Sequence, residues 1–132
     1  SMHAPSDPPI GVWFISGLDI IPGEPGILVM LRNGRCVQFS TSVTPPLKHP
    51  VQRLWFTCPD ARTIRFRMKP DGSEWLRFIE TTPQGWTMIA DDERGRLEFP
   101  CRPAAPDDLP DWYPEMLEKC LRKMDLLEKQ EN

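Results

Sequence analysis

Residues 62–100 read RTIRFRMKPDGSEWLRFIETTPQGWTMIADDERGRLEFP, and this stretch decides the fold class. Three turn signals divide it at short intervals: Pro70-Asp71-Gly72, Pro83-Gln84-Gly85 and Glu93-Arg94-Gly95. Such signals between short runs of aromatic and β-branched residues are typical of antiparallel hairpins. We therefore predict four strands, each paired with its neighbour in sequence: 62–69, 74–81, 86–90 and 96–100.

The first of these strands alternates apolar with basic residues, which predicts one face toward a core and one toward solvent. A three-residue loop at 70–72 then sets the register of the hairpin, with Phe66 opposite Leu76. In this register the outward face carries a basic row beside an aromatic ring: Arg65, Arg67, Lys69, Trp75 and Arg77. One interpretation is a surface for an anion or a protein partner. The other is a solvated strand face neutralised by Glu74 and Glu80.

The N-terminal half predicts four more elements. A first strand covers 11–16, and a second covers 27–31. Asn33-Gly34 predicts a two-residue hairpin turn with Leu28 opposite Phe39 in the third strand. The proline-rich segment 44–50 predicts a loop, because proline cannot pair within a central strand. A strand at 51–57 follows.

Near the C terminus, apolar residues recur at helical spacing: Tyr113, Leu117, Cys120, Leu121, Met124 and Leu127. Asp111 is a suitable N-cap, so we predict an amphipathic helix over about 111–129. The fold class is thus mainly β, an antiparallel meander forming a small barrel with one C-terminal helix. We predict a single domain over 10–132, preceded by a flexible segment 1–9 that begins with an expression scar, Ser1-Met2.

Composition excludes several classes of function. The net charge of −3 argues against a nucleic-acid partner. The longest apolar run, 27–31, is too short to span a membrane, which favours a cytoplasmic protein. Four scattered cysteines without a Cys-x-x-Cys pair predict reduced, mostly buried thiols: Cys36, Cys58, Cys101 and Cys120. His3 and His49 have no partner at ligand spacing, so no metal or cofactor is predicted.

The sequence contains no catalytic motif. Neither histidine lies near a cysteine, and no nucleophile elbow or phosphate-binding glycine loop occurs. The acidic clusters Asp91-Asp92-Glu93 and Asp107-Asp108 lie in turn or connector sequence, where solvated carboxylates are common. We therefore predict a protein without enzymatic activity.

The motif Gly11-Val12-Trp13 at the start of the first strand, followed by a strand meander and a late helix, resembles the lipocalin-like (calycin) barrels. The resemblance implies a barrel that holds a small apolar or amphipathic ligand. Candidate wall residues are Trp13, Phe39, Phe66 and Trp86. A pleckstrin-homology-like barrel is the alternative architecture, and it implies a phosphate-binding role for the basic hairpin.

A protein-interaction module of helper or immunity type is the alternative function. It uses the basic strand face or the helix as a docking surface. Either function is compatible with a monomer or a weak homodimer.

Overall fold

The computed structural model describes residues 9–17, 25–41 and 51–131, with side chains up to residue 125. Residues 1–8, which make up most of the predicted N-terminal segment, lie outside the described residues. The predicted loop 44–50 also lies outside them. The described strands are β1 (Gly11–Ile15), β2 (Gly26–Met30), β3 (Arg35–Ser40), β4 (Val51–Asp60), β5 (Thr63–Arg67), β6 (Glu74–Thr82), β7 (Gly85–Asp92) and β8 (Gly95–Pro103). A short 3₁₀ turn at Pro106–Asp108 leads to the helix α1 (Tyr113–Glu131).

The eight strands form a closed antiparallel barrel in which each strand pairs with the next in sequence. The first and last strands close it, since Trp13, Phe14 and Ile15 pair with Pro103, Arg102 and Cys101. This confirms the predicted fold class: a mainly β meander that forms a small barrel with one C-terminal helix. The helix begins at Tyr113 and ends at Glu131, each two positions later than predicted.

Apolar side chains form two clusters, one on each side of the barrel wall. The interior cluster contains Ile15, Leu28, Met30, Cys36, Leu54, Phe56, Ile64, Phe66, Trp86, Met88 and Cys101. The second cluster joins the outer face of β1–β3 to α1 and contains Ile27, Val29, Val37, Phe39, Tyr113, Cys120 and Met124. The helix therefore covers the outer face of the first three strands. The side chain of Leu127, the last residue of the predicted helical stripe, lies outside the described residues.

The β2–β3 hairpin differs from the predicted register by one residue. Met30 lies opposite Cys36, and Ile27 lies opposite Phe39. The Leu31 N–H donates to the Arg35 carbonyl at 2.9 Å, so the loop contains three residues rather than two. Within this loop, Gly34 is the residue with a positive φ, +79°, as expected for a type I turn followed by a left-handed glycine. Because side chains alternate along a strand, this one-residue change decides which face Phe39 occupies.

The β5–β6 hairpin shows a second one-residue difference. Phe66 lies opposite Trp75, not Leu76, and Arg67 lies opposite Glu74. The strand β5 ends at Arg67, so the connection runs from residue 68 to residue 73 and is longer than the predicted loop. Gly72 closes a turn by donating to the Lys69 carbonyl at 3.1 Å but does not have a positive φ. The predicted register is therefore wrong, because the strand ends before the turn signal begins.

The turn between β6 and β7 lies where the sequence predicts it. Thr82 pairs with Gly85 across a two-residue connection. Gly85 has a φ of +157°, and a Cβ atom placed there lies 2.3 Å from the Cys101 carbonyl oxygen. Glycine is thus required where β8 approaches the turn. Within the described residues, α1 is not long and apolar enough to cross a membrane.

Candidate functional site

Two tryptophans fill the lower end of the barrel interior, the end that holds the start of β1 and the start of β7. The rings of Trp13 and Trp86 meet edge to face, with centroids 5.8 Å apart. The Trp13 indole N–H donates to the Pro9 carbonyl at 2.8 Å. The predicted residues Trp13 and Trp86 therefore lie in contact at this end, next to Pro9, which directly precedes the last residue before β1.

The indole N–H of Trp86 differs from that of Trp13 in its hydrogen bonding. Trp86 is 4% exposed, and its Nε1 atom is buried without an acceptor among the described residues. A buried donor without an acceptor costs about 1–3 kcal/mol, and most such groups in folded proteins are satisfied by protein or by ordered water. The interior therefore contains a polar group that requires an acceptor.

Phe66, the third predicted wall residue, also faces the interior. Its ring stacks on Trp75 with centroids 5.8 Å apart. Trp75, Ile79 and Phe99 pack against the interior cluster while remaining partly exposed. These three side chains on β6 and β8 therefore keep contact with solvent, in contrast to the fully buried positions of β2.

Polar side chains interrupt the apolar interior. Gln38 is 5% exposed and lies opposite Gln52 on the interior side of β3 and β4. Arg77 is half-buried and lies opposite Ile64, which belongs to the interior cluster. The interior thus combines aromatic surface with the Gln38 amide, and the Arg77 guanidinium donates to the Leu76 carbonyl at 2.9 Å.

Phe39, the fourth predicted wall residue, does not face the interior. It is fully buried under α1, with ring centroids 5.4 Å from Trp112 and 5.8 Å from Tyr113. The three-residue β2–β3 loop places Phe39 opposite Ile27 on the outer face. Phe39 therefore belongs to the contact between sheet and helix.

The predicted basic row does not form one face. Arg65 and Arg67 lie on the outer face of β5, and Lys69 lies in the β5–β6 connection. Trp75 and Arg77 lie on the interior side of β6, because the hairpin register differs by one residue. Arg67 donates from Nη1 to the Pro70 carbonyl at 2.5 Å, and its Nε atom is buried without an acceptor among the described residues. Trp75 stacks on Phe66 on the interior side and does not lie on the outer face with Arg67.

A different arginine makes the closest cation–π contact. The guanidinium of Arg35 lies 3.8 Å from the centroid of the Trp55 ring, and Arg35 is 2% exposed. Its Nε donates to the Leu54 carbonyl at 3.4 Å. The sequence alone does not mark Arg35 as buried, because an arginine beside a hairpin turn normally indicates a solvated strand end. The signal that could have placed Arg35 is strand alternation, because Arg35, Val37 and Phe39 occupy alternate positions of β3 and so share one face.

The cysteine thiols are buried or half-buried, and one of the acidic residues, Asp108, is held in an ion pair. All four cysteines are free thiols, as predicted, and burial is the main cause that raises the pKa of Cys58 to about 11 and that of Cys101 to about 12. Thiols of this kind are poor nucleophiles near neutral pH.

Asp108 accepts from Arg102 at 2.7 Å and from the Ala105 N–H, and these bonds lower the pKa of its carboxyl to about 2. Among the described residues, no three potential ligands are grouped closely enough to hold a metal ion.

Comparisons with protein-family models, with curated proteins and with solved structures found no match.

Proposed function

We propose that this chain is a non-catalytic binding domain that holds a small amphipathic ligand inside its barrel. The observation that carries the proposal is the Trp86 indole N–H, which is buried in the interior without an acceptor among the described residues. A ligand with a hydrogen-bond acceptor satisfies this donor, while its apolar part contacts Trp13, Phe66 and Trp75.

The layout supports this function in a further way. The meander, the terminal helix and the Gly11-Val12-Trp13 motif resemble lipocalin-like barrels, in which the interior is the ligand site. The partly exposed interior positions on β6 and β8 provide access, and Gln38 and Arg77 supply polar contacts. We also propose a cytoplasmic location, which the four free thiols support because reducing compartments maintain thiols.

Native mass spectrometry of freshly purified protein tests the proposal. We expect a mass excess that disappears on denaturation, and saturable binding of 1-anilinonaphthalene-8-sulfonate, an amphipathic aromatic anion. Trp86→Phe removes the donor but retains an aromatic ring, and we expect about tenfold weaker binding of the dye. Trp55→Phe, on the outer face, is the matched control and should bind like the wild type. A clean apo mass together with no dye binding would contradict the proposal.

A second candidate function is protein interaction through the outer surface. The specific observation in its favour is the exposure of two large apolar side chains on β6, Leu76 at 42% and Phe78 at 38%. Exposed apolar groups that lie together on one face mark interaction sites more often than scattered ones do.

A further inference from the structure

Leu76 and Phe78 form a stripe on the outer face of β6, and we call them the β6 stripe. Phe78 lies between Thr63 of β5 and Ile89 of β7, and Ile89 is buried at the base of this face. The helix packs on β1–β3, on another part of the wall. The β6 stripe therefore lies on the outer surface that α1 leaves uncovered.

A groove of about 700 Å³ runs along this part of the surface. The outer-face residues Phe78, Glu80, Ile89, Asp91 and Arg96 line it together with residues of the β4–β5 turn, Ala61 and Arg62. A convex barrel wall normally offers no such concavity. The groove gives an apolar side chain from a partner room to reach Phe78 and Ile89.

Charges flank the β6 stripe with opposite signs on its two sides. Arg65 of β5 lies directly beside Leu76, and it is exposed. Asp91 of β7 lies two positions beyond Ile89 on the same outer face, and it is also exposed. Two strand spacings, about 10 Å, separate β5 from β7, so these two charges are too far apart for a salt bridge within one chain. On the Asp91 side, Arg96 of β8 lies directly opposite Asp91, but its guanidinium pairs with Glu80 at 3.4 Å and with Glu98 at 3.1 Å.

We propose that a second copy of this chain docks on this face, with a two-fold axis parallel to β6. Rotation about that axis lays the β6 stripe of one copy on the β6 stripe of the other. It also places Arg65 of each copy over Asp91 of the partner copy, which gives two identical ion pairs, as an isologous interface requires. A two-fold axis perpendicular to β6 through the middle of the stripe instead places Arg65 over Thr63 and Asp91 over Ile89. Neither charge then meets an opposite one, so the charges favour the axis parallel to β6.

This inference rests on the second candidate function and is independent of any ligand in the barrel. Each copy contributes two exposed apolar side chains and one pair of opposite charges. An interface with so few contacts buries a small area, so the dimer is weak and its population depends on concentration.

Sedimentation velocity over a concentration series tests the proposal. We expect the weight-average sedimentation coefficient of the wild type to rise with concentration. Leu76→Ser should raise the dissociation constant of the dimer at least about tenfold, because it removes an apolar contact at the centre of the interface. Leu121→Ser is the matched control, since Leu121 is 40% exposed but lies on α1. It should sediment like the wild type.

A charge exchange tests the orientation. Arg65→Asp and Asp91→Arg should each weaken the dimer, because each places like charges together twice, and the double variant should restore it. A wild type that stays monomeric at every concentration overturns the proposal, and so does a double variant as weak as the single ones. Ligand-dependent mass and dye binding do not depend on these variants, so the proposed interior site is tested separately.

Discussion

Two parts of the barrel wall differ in what covers their outer face: β2 and β3, which we call the covered side, and β6, which we call the uncovered side. Every residue of β2 and β3 is buried, because the interior covers one face and α1 covers the other. Along most of β6 exposed positions alternate with half-buried ones, because its outer face meets solvent. The covered side is built as a core on both faces. The uncovered side carries the exposed apolar groups and charges through which contacts with other molecules are possible.

Phe39→Ala tests this contrast with the largest expected effect. Phe39 is fully buried between the sheet and α1, so we expect a loss of about 3–5 kcal/mol in the free energy of unfolding. Phe78→Ala, on the uncovered side, should lose about 1 kcal/mol at dilutions where the chain is monomeric. Urea denaturation curves measure both. Equal losses would show that the two sides of the wall do not differ as described.

Gly85→Ala tests how far the uncovered side depends on its turns. The added Cβ lies 2.3 Å from the Cys101 carbonyl oxygen in a backbone conformation that side chains rarely adopt, so we expect a loss of about 2 kcal/mol or more. Gly95→Ala is the matched control. Its φ of +128° is also unusual, but no atom lies within 4 Å of the added Cβ, so a loss of about 1 kcal/mol is expected. The same denaturation curves compare the two variants, and a larger loss for Gly95→Ala would contradict the close approach of β8.

Asp108→Asn has the smallest expected effect and tests the connection from β8 to the helix. The Arg102 guanidinium and the Ala105 N–H lower the pKa of Asp108 from 3.8 to about 2 in the folded chain. The stabilisation is therefore complete above pH 3.8 and is lost as the pH falls toward 2. Thermal melts at several pH values should show a steeper acid loss in the wild type than in Asp108→Asn. Asp107→Asn removes a neighbouring carboxylate outside the Arg102 pair and should keep the wild-type slope.

Much of the architecture could be predicted because turn signals and hydrophobic periods are local. The proline and glycine signals located the turns after β6 and β7, and the helical spacing of Tyr113, Cys120 and Met124 located α1. Trp13, Phe66 and Trp86, which the lipocalin resemblance implied as wall residues, lie in or against the interior cluster.

Which side chains of the β2–β3 and β5–β6 hairpins face the interior could not be predicted reliably, because the sequence specifies loop length only weakly. Asn33-Gly34 is compatible with loops of two or three residues, and one extra residue moved Phe39 to the outer face. The strand β5 ends two positions before its alternating pattern does, which moved Trp75 and Arg77 to the interior. Whether a buried donor such as the Trp86 indole N–H finds an acceptor depends on packing between distant strands, and the local sequence carries no signal of it.

The seam between β1 and β8 joins the beginning of the fold to its end. Ile15 pairs with Cys101, 86 positions later in the chain. During synthesis β1 lacks one of its two neighbours until nearly every other strand has been made. Contacts this distant in sequence slow folding, so ring closure is expected to be a late step in folding. Shortening the chain at either end of the barrel would leave two strand edges open to other chains.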